Sequence, residues 1–145
     1  MTVTYEQDIV AWANEQAKML RSRQFDKLDI AHIAEEIEDV GKSEQRELAN
    51  RMAVLLAHLL KWQFQPQRRG ASWEITINTQ RKAIDRRLRK TPSLKQSLQD
   101  ADWWEDVWGD AIADAANETG LGMDYFPAIS PWCVADILDP NWKPE

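Results

Sequence analysis

The sequence predicts an all-α protein: a bundle of four main helices with a long central second helix and a short C-terminal helix. Two observations lead to this prediction. The chain contains only 5 glycines among its 145 residues. Most of its apolar residues recur at intervals of three and four, which is the spacing of one helix face. At this length we expect a single helical domain over residues 1–145.

The first predicted helix covers residues 5–23, where apolar side chains recur from Ile9 to Leu20. A short link then leads to Asp29, a residue type that caps helix N-termini by accepting hydrogen bonds from free backbone N–H groups. We therefore expect the second helix to begin at Asp29. If the two helices are antiparallel neighbours, Asp39 lies level with Trp12 and Glu35 lies level with Gln16.

The second predicted helix carries the longest apolar stripe of the sequence. Its positions, three or four residues apart, are Ile33, Ile37, Val40, Glu44, Leu48, Met52, Leu55, Leu59 and Trp62. Because the stripe stays in phase across Gly41, we predict one helix of about 35 residues rather than two. Pro66 ends it, since proline lacks the N–H that a continuing helix needs.

Three further helices are predicted in the rest of the chain. Residues 72–90 form the third helix, and residues 92–118 form the fourth, with a kink near Asp100. A Ser-Pro pair starts a short fifth helix over residues 131–138, and an irregular tail follows.

Composition excludes several classes of protein. The single cysteine, Cys133, permits no internal disulfide, and we expect it to be a part-buried, inert thiol. No apolar run approaches the roughly 20 residues of a membrane span. The first residues form neither a basic nor an apolar leader segment. We therefore expect a cytoplasmic protein with no membrane partner.

Charge is distributed in three blocks. Residues 1–50 hold 11 acidic and 6 basic side chains, residues 51–99 hold 2 and 11, and residues 100–145 hold 11 and 1. The basic block could bind nucleic acid, or its cations could neutralise the acidic blocks within the fold. We favour neutralisation, because a net charge of -6 repels phosphate backbones at long range. An antiparallel third and fourth helix would then place Arg81 beside Asp102.

Several segments of the sequence resemble a known family. They are residues 35–41 (EEIEDVG), residues 58–66 (HLLKWQFQP), Ser72-Trp73 with Ile77, and Gln80-Arg81. Supporting matches are Tyr5, Asp8, Trp12, residues 91–94, Phe126-Pro127, Pro131 and residues 137–139. The chain resembles the bacterial domain-of-unknown-function family 29 over nearly its whole length. The resemblance implies a compact helical fold, and it implies no activity, no catalytic residue and no cofactor.

An acidic cluster in the second helix is the first candidate site. Glu35, Glu38 and Asp39 stand within about one helical turn, and carboxylates three or four residues apart share a helix face and a cation. This arrangement is compatible with a metal-dependent hydrolase. It is equally compatible with a solvent-exposed acidic face, which is the interpretation we favour.

His58 is the second candidate. It follows Arg51 by seven residues, which matches the loose Arg–His spacing of the helical HEPN ribonucleases. It also lies among Leu55, Leu59 and Trp62, so we favour a structural histidine whose ring bonds Asn78 or Glu105. The sequence thus leaves the enzyme question open.

The third candidate is the loop after the second helix, where Arg68 and Arg69 lie between Trp62 and Trp73. Arginine beside tryptophan suits a protein anchor or nucleic-acid stacking. It is also found in loops that are simply packed against the fold. A nucleic-acid surface would add the third-helix residues Arg81, Arg86 and Arg87.

Taken together, these patterns predict a non-catalytic protein-interaction module with no cofactor. It would bind a protein partner or a second copy through its Trp-rich fourth helix and tail. The alternatives are the metal-dependent hydrolase, the HEPN-like ribonuclease and the nucleic-acid binder, and we do not expect nucleic acid as the partner.

Overall fold

The computed structural model describes residues 3–145, which are helical throughout except for turns and connections. Five α-helices follow in order: α1 (Ile9–Arg21), α2 (Ile30–Phe64), α3 (Ala71–Lys90), α4 (Ala101–Thr119) and α5 (Val134–Leu138). Short 3₁₀ helices occupy Phe25–Lys27, Pro66–Arg68, Pro92–Gln99 and Met123–Tyr125. The all-α class, the long second helix and the short C-terminal helix are confirmed. No strand occurs among these residues.

Helix boundaries follow local capping chemistry. Asp8 accepts hydrogen bonds from the N–H groups of Val10 and Ala11, so α1 begins four residues later than predicted. Asp100 caps α4 in the same way and accepts from Asp102 N. The predicted fourth helix is therefore two elements, a 3₁₀ segment and α4, rather than one kinked helix. Gly120 ends α4 with a φ of 77°, a left-handed conformation that favours glycine.

The chain divides into two compact units within α2, an N-terminal unit up to Ser43 and a C-terminal unit from Glu44 onward. The C-terminal unit holds the hydrophobic core. Its fully buried side chains come from α2, α3, α4 and α5, and the largest are Leu48, Met52, Leu55, Leu56, Leu59, Leu60, Ile77, Ile84, Val107 and Ile137. Burial of this many Leu, Ile and Val side chains at about 1.5–3 kcal/mol each provides the driving force for this unit.

The N-terminal unit buries far less. Within its described part, residues 3–43, only Trp12, Gln16 and Met19 are buried. Trp12 Nε1 donates to Asp29 Oδ2 at 3.0 Å, and Asp29 N donates to Gln16 Oε1 at 2.9 Å. Trp12 therefore lies beside Asp29, the residue before α2, and the prediction that Trp12 lies level with Asp39 is wrong by more than two helical turns. The link after α1 runs back alongside that helix. The predicted register of α1 and α2 assumed a connection that does not run back.

The charges of α3 pair differently from the prediction. Arg87 contacts Glu44 Oε2 at 3.0 Å and Glu47 Oε1 at 3.3 Å, both on α2. Among residues 3–145 no ion pair joins α3 to α4. The expected neighbour relation between Arg81 and Asp102 is therefore not found, and the basic block is neutralised partly by acidic residues of α2. Within the described chain, no helix combines the length and hydropathy that a bilayer crossing requires.

Candidate functional site

The acidic cluster does not converge on a single point. Glu35 and Glu38 are exposed, and Asp39 is half-buried. The carboxylate that makes a specific contact is instead Glu36, whose Oε1 accepts from the Tyr5 hydroxyl at 2.5 Å. Among the described residues no three His, Cys, Asp or Glu side chains are grouped closely enough to hold a metal ion. The geometry therefore offers no preformed metal centre at Glu35, Glu38 and Asp39.

The residues around His32 form the Tyr5–His32 cluster: Tyr5, Glu6, Trp12, Asp29, His32 and Glu36. The rings of Tyr5 and His32 stack with their centroids 4.2 Å apart. His32 Nδ1 lies 2.7 Å from Asp29 Oδ2, and His32 Nε2 lies 3.3 Å from Glu6 Oε1. Both ring nitrogens thus face carboxylates, which a doubly protonated imidazole satisfies.

Electrostatics in this cluster favour the charged imidazole. The hydrogen bond to Asp29, together with the charges of Asp29, Glu6 and Glu35, raises the pKa of His32 above its ordinary 6.5. The hydrogen bond from His32 lowers the pKa of Asp29. The hydrogen bond to Glu36 raises the pKa of Tyr5 to about 12. Because both nitrogens of His32 are occupied, the ring ties the chain before α1 to the first turns of α2 and presents no free nitrogen for acid–base chemistry.

His58 is held by its own helix. Its Nδ1 donates to the Val54 carbonyl at 2.9 Å, and its Nε2 accepts from Lys61 Nζ at 3.3 Å. Burial is the main reason that the pKa of His58 lies below its ordinary value, and the Lys61 charge lowers it further. The expected partners Asn78 and Glu105 are therefore wrong.

Arg51 has other partners. Its Nε lies 3.0 Å from Glu47 Oε1, and its Nη1 donates to Gln80 Oε1 at 3.3 Å. Arg51 and His58 thus have separate partners, and nothing in the structure directs the two side chains at a common ligand.

Lys61 is the centre of a second group, the Lys61 cluster, which also contains His58, Trp73 and Glu118. Lys61 is only 4% exposed. Its ammonium forms an ion pair with Glu118 near the end of α4 and lies 5.2 Å from the centre of the Trp73 ring. Neither partner of this ion pair was predicted from the sequence. The signal for Lys61 was its position inside an apolar run of α2, between Leu60 and Trp62.

Two of the predicted residues, Trp62 and Arg69, are tied together next to this cluster. Arg69 Nε donates to the Trp62 carbonyl at 2.6 Å, and its guanidinium lies 5.3 Å from the centre of the Trp62 ring. Lys143 lies 5.1 Å from the same ring and bonds Glu74 at 3.1 Å. These contacts pin the loop after α2 and the C-terminal tail to the fold, as the packing alternative predicts.

Arg81 is buried, with 4% of its surface exposed. Its Nε donates to the Ile137 carbonyl at 2.8 Å and so joins α3 to α5. Burial lowers the pKa of Arg81, and the nearby Asp139 carboxylate opposes that shift. A guanidinium in this position cannot reach a phosphate backbone, so Arg81 does not belong to a nucleic-acid surface.

Three other basic residues of α3, Arg86, Arg87 and Lys90, line a cleft of about 330 Å³ against α2. Its lining consists of Glu44, Arg51, Ala83, Arg86, Arg87, Lys90 and Thr91. Two of the cations, Arg51 and Arg87, are bridged by carboxylates of α2. Carboxylates of α2 thus neutralise two of the four cations that line the cleft.

None of the eight tryptophans is exposed. Trp108 is buried and donates to the Pro127 carbonyl at 2.8 Å, and Trp104 donates to the Leu98 carbonyl at 2.6 Å. Trp103, Trp132 and Trp142 pack against the core. The indole rings of the Trp-rich α4 and tail are therefore packed within the fold, and little of their surface is left to contact a partner. Cys133, expected to be part-buried, is exposed.

A row of exposed apolar side chains lies on the first half of α2. Ile30, Ile37 and Val40 are 66–68% exposed, and Ile33 between them is half-buried. With Ala34 they occupy positions i, i+3, i+4, i+7 and i+10, which fall on one side of a helix. We call these five residues the apolar face of α2. Further down the same stripe, Leu48, Met52, Leu55 and Leu59 are 0% exposed.

A family model described as "Domain of unknown function DUF29" matches residues 4–143 of the chain. No curated protein and no solved structure matches the chain.

Proposed function

Since this chain belongs to the DUF29 family, whose description names no activity, we propose from its own geometry that it is a non-catalytic protein-interaction module. The observation that carries the proposal is the apolar face of α2. A single helix stripe is completely buried from Leu48 to Leu59 and exposed at Ile37 and Val40. Exposed apolar rows of this kind mark docking sites, since water contact costs free energy that a partner removes.

The distribution of exposed apolar residues supports the same conclusion. Seven of the eleven large exposed hydrophobic side chains lie in the N-terminal unit, namely Ile9, Val10, Leu20, Phe25, Ile30, Ile37 and Val40. An amphipathic helix that offers side chains at i, i+3 and i+7 is a common recognition element for another helix. We therefore place the interaction surface on α2 rather than on the Trp-rich α4.

The catalytic alternatives lack a comparable observation. Both nitrogens of His32 and both nitrogens of His58 already have partners within hydrogen-bonding distance. Arg81 is buried, and Arg69 is bonded to the Trp62 carbonyl. A binding function needs none of these groups to be free, whereas the HEPN-like ribonuclease hypothesis needs His58 to be free.

Photo-crosslinking in cells tests the proposal. A photoreactive amino acid replaces Ile37 in the apolar face, and a matched chain carries it at the exposed Lys42, about one turn away on a charged side of α2. We expect a protein adduct from position 37 that Val40→Glu abolishes, and no such adduct from position 42. If position 37 forms no protein adduct, the interaction module is refuted.

A further inference from the structure

The cleft between α2 and α3 holds more positive charge than its walls neutralise. Its lining cations are Arg51, Arg86, Arg87 and Lys90, and its one lining carboxylate is Glu44. The carboxylates of Glu44 and Glu47 pair with Arg87, and Glu47 also pairs with Arg51. Among residues 3–145 no ion pair holds Arg86 or Lys90, and both side chains are exposed. The cleft therefore presents two cations without a counter-charge.

We propose that this cleft binds the phosphate group of a small anionic ligand, at a site separate from the apolar face of α2. A phosphate ester carries about two negative charges near neutral pH, which match the two unpaired cations. A guanidinium presents N–H donors in a planar fork that fits phosphate oxygens, and an ammonium adds a compact point charge. Arg86 and Lys90 supply one group of each kind.

Donors for such a group come from both helices of the cleft. Arg86 and Lys90 are four positions apart on α3, so they lie next to each other on one side of that helix. From α2, Arg51 uses its Nε toward Glu47 and its Nη1 toward Gln80, and its Nη2 takes part in neither contact. The Thr91 hydroxyl completes the lining, and hydroxyls commonly donate to phosphate oxygens.

The size and charge of the cleft favour a small ligand over a nucleic-acid strand. Its volume of about 330 Å³ is within the range of small-molecule sites. A long polyanion meets the repulsion of the whole chain, whose net charge is -6, whereas a small ligand in the cleft meets mainly the basic block 51–99. The C-terminal end of the α3 dipole contributes about half a negative charge, which is less than the two unpaired cations supply.

NMR titration of the ¹⁵N-labelled chain at about pH 7.5 tests the site, since a phosphate ester is then a dianion. The probes are inorganic phosphate and glycerol 3-phosphate, with sodium chloride at the same ionic strength as the control. We expect saturable shifts of the Thr91 amide and the Arg86 Nε–H with both probes and none with chloride. Tighter binding of glycerol 3-phosphate would assign the site to an organic ester, and tighter binding of inorganic phosphate to the free ion. No saturable shift up to about 20 mM of either probe would overturn the proposal.

Three variants locate the binding in the cleft, and far-UV circular dichroism verifies that each one folds. Lys90→Gln should weaken binding of the better probe about tenfold. Lys82→Gln removes the same charge from an exposed position of α3 outside the cleft and should leave the affinity unchanged. Glu44→Gln removes the carboxylate from the wall and should tighten binding, a gain that damage to the fold does not produce. Equal weakening by Lys82→Gln and Lys90→Gln, or weaker binding to Glu44→Gln, would overturn the site.

Discussion

The two histidines of this chain sit in opposite electrostatic surroundings. His32 lies between the carboxylates of Asp29 and Glu6, whereas His58 is part-buried beside the Lys61 ammonium. These surroundings therefore favour the charged imidazole at His32 and the neutral imidazole at His58. Sequence alone could not separate them, because Glu6 is 26 positions from His32 in the chain, and the burial that lowers the pKa of His58 depends on tertiary packing.

NMR titration of the ring protons provides the first prediction. We expect the pKa of His32 above 6.5 and the pKa of His58 below it, so two transitions should appear on either side of the free value. Asp29→Asn removes the strongest contribution to the His32 shift, so its transition should move down while that of His58 stays. Coincident transitions would contradict the proposed contacts.

These shifts also determine how stability depends on pH. Because the folded pKa of His32 is raised, its stabilising contribution is complete below about pH 6.5 and is lost as the pH rises through the folded pKa. The pKa of His58 is lowered, so its burial destabilises the fold only as the pH falls below 6.5. We expect His32→Gln to abolish the loss of thermal stability on the alkaline side of pH 6.5. If the decrease in thermal stability above pH 6.5 persists in this variant, a titrating group other than His32 causes it.

The Lys61–Glu118 ion pair allows an asymmetric test. Glu118→Gln leaves a buried ammonium without its counter-charge and should destabilise the fold by about 1–2 kcal/mol. Lys61→Met removes the buried charge and keeps the volume, so it should be close to neutral or stabilising. Urea denaturation measures both. Equal losses in the two variants would mean that the attraction outweighs the cost of burying Lys61.

At the level of elements, the sequence was sufficient where one local rule dominated. The stripe from Ile33 to Trp62 predicted a single α2, and Asp29 predicted its start, as the structure confirms. The apolar spacing mispredicted residues 92–99 as part of the fourth helix. Asp100 caps α4, so the preceding segment is a separate 3₁₀ helix. The predicted neighbour of Arg81 in α3 was wrong for a different reason. Its hydrogen-bond partner is the backbone carbonyl of Ile137, which is 56 positions away in the chain.

Gly41 is the weak point of α2 and provides a prediction for that element. The helix passes straight through it, and a Cβ placed there meets no atom within 4 Å. Gly41→Ala should therefore stabilise the fold by about 1 kcal/mol through higher helix propensity. The measurement is thermal or urea unfolding at low protein concentration. A decrease in stability would show that this position needs conformational freedom that the continuous helix does not require.

For the whole molecule, the central fact is that one helix serves two units of unequal burial. From Leu48 onward α2 forms the centre of a core that fixes α3, α4 and α5. Up to Ser43 it belongs to a unit of about 40 residues, a size at which a chain rarely buries enough apolar surface to be stable alone. The sequence could not reveal this difference, because the periodicity of the stripe is the same in both halves and burial depends on what packs against it.

Hydrogen exchange should therefore separate the two halves of α2. At low protein concentration we expect the amides of residues 30–43 to exchange faster than those of residues 48–62, although both lie in the same continuous helix, since local opening follows local burial. Uniform exchange along α2 would contradict the division of the helix between a buried and an exposed half, because a fully cooperative helix opens as one unit whatever its side chains contact.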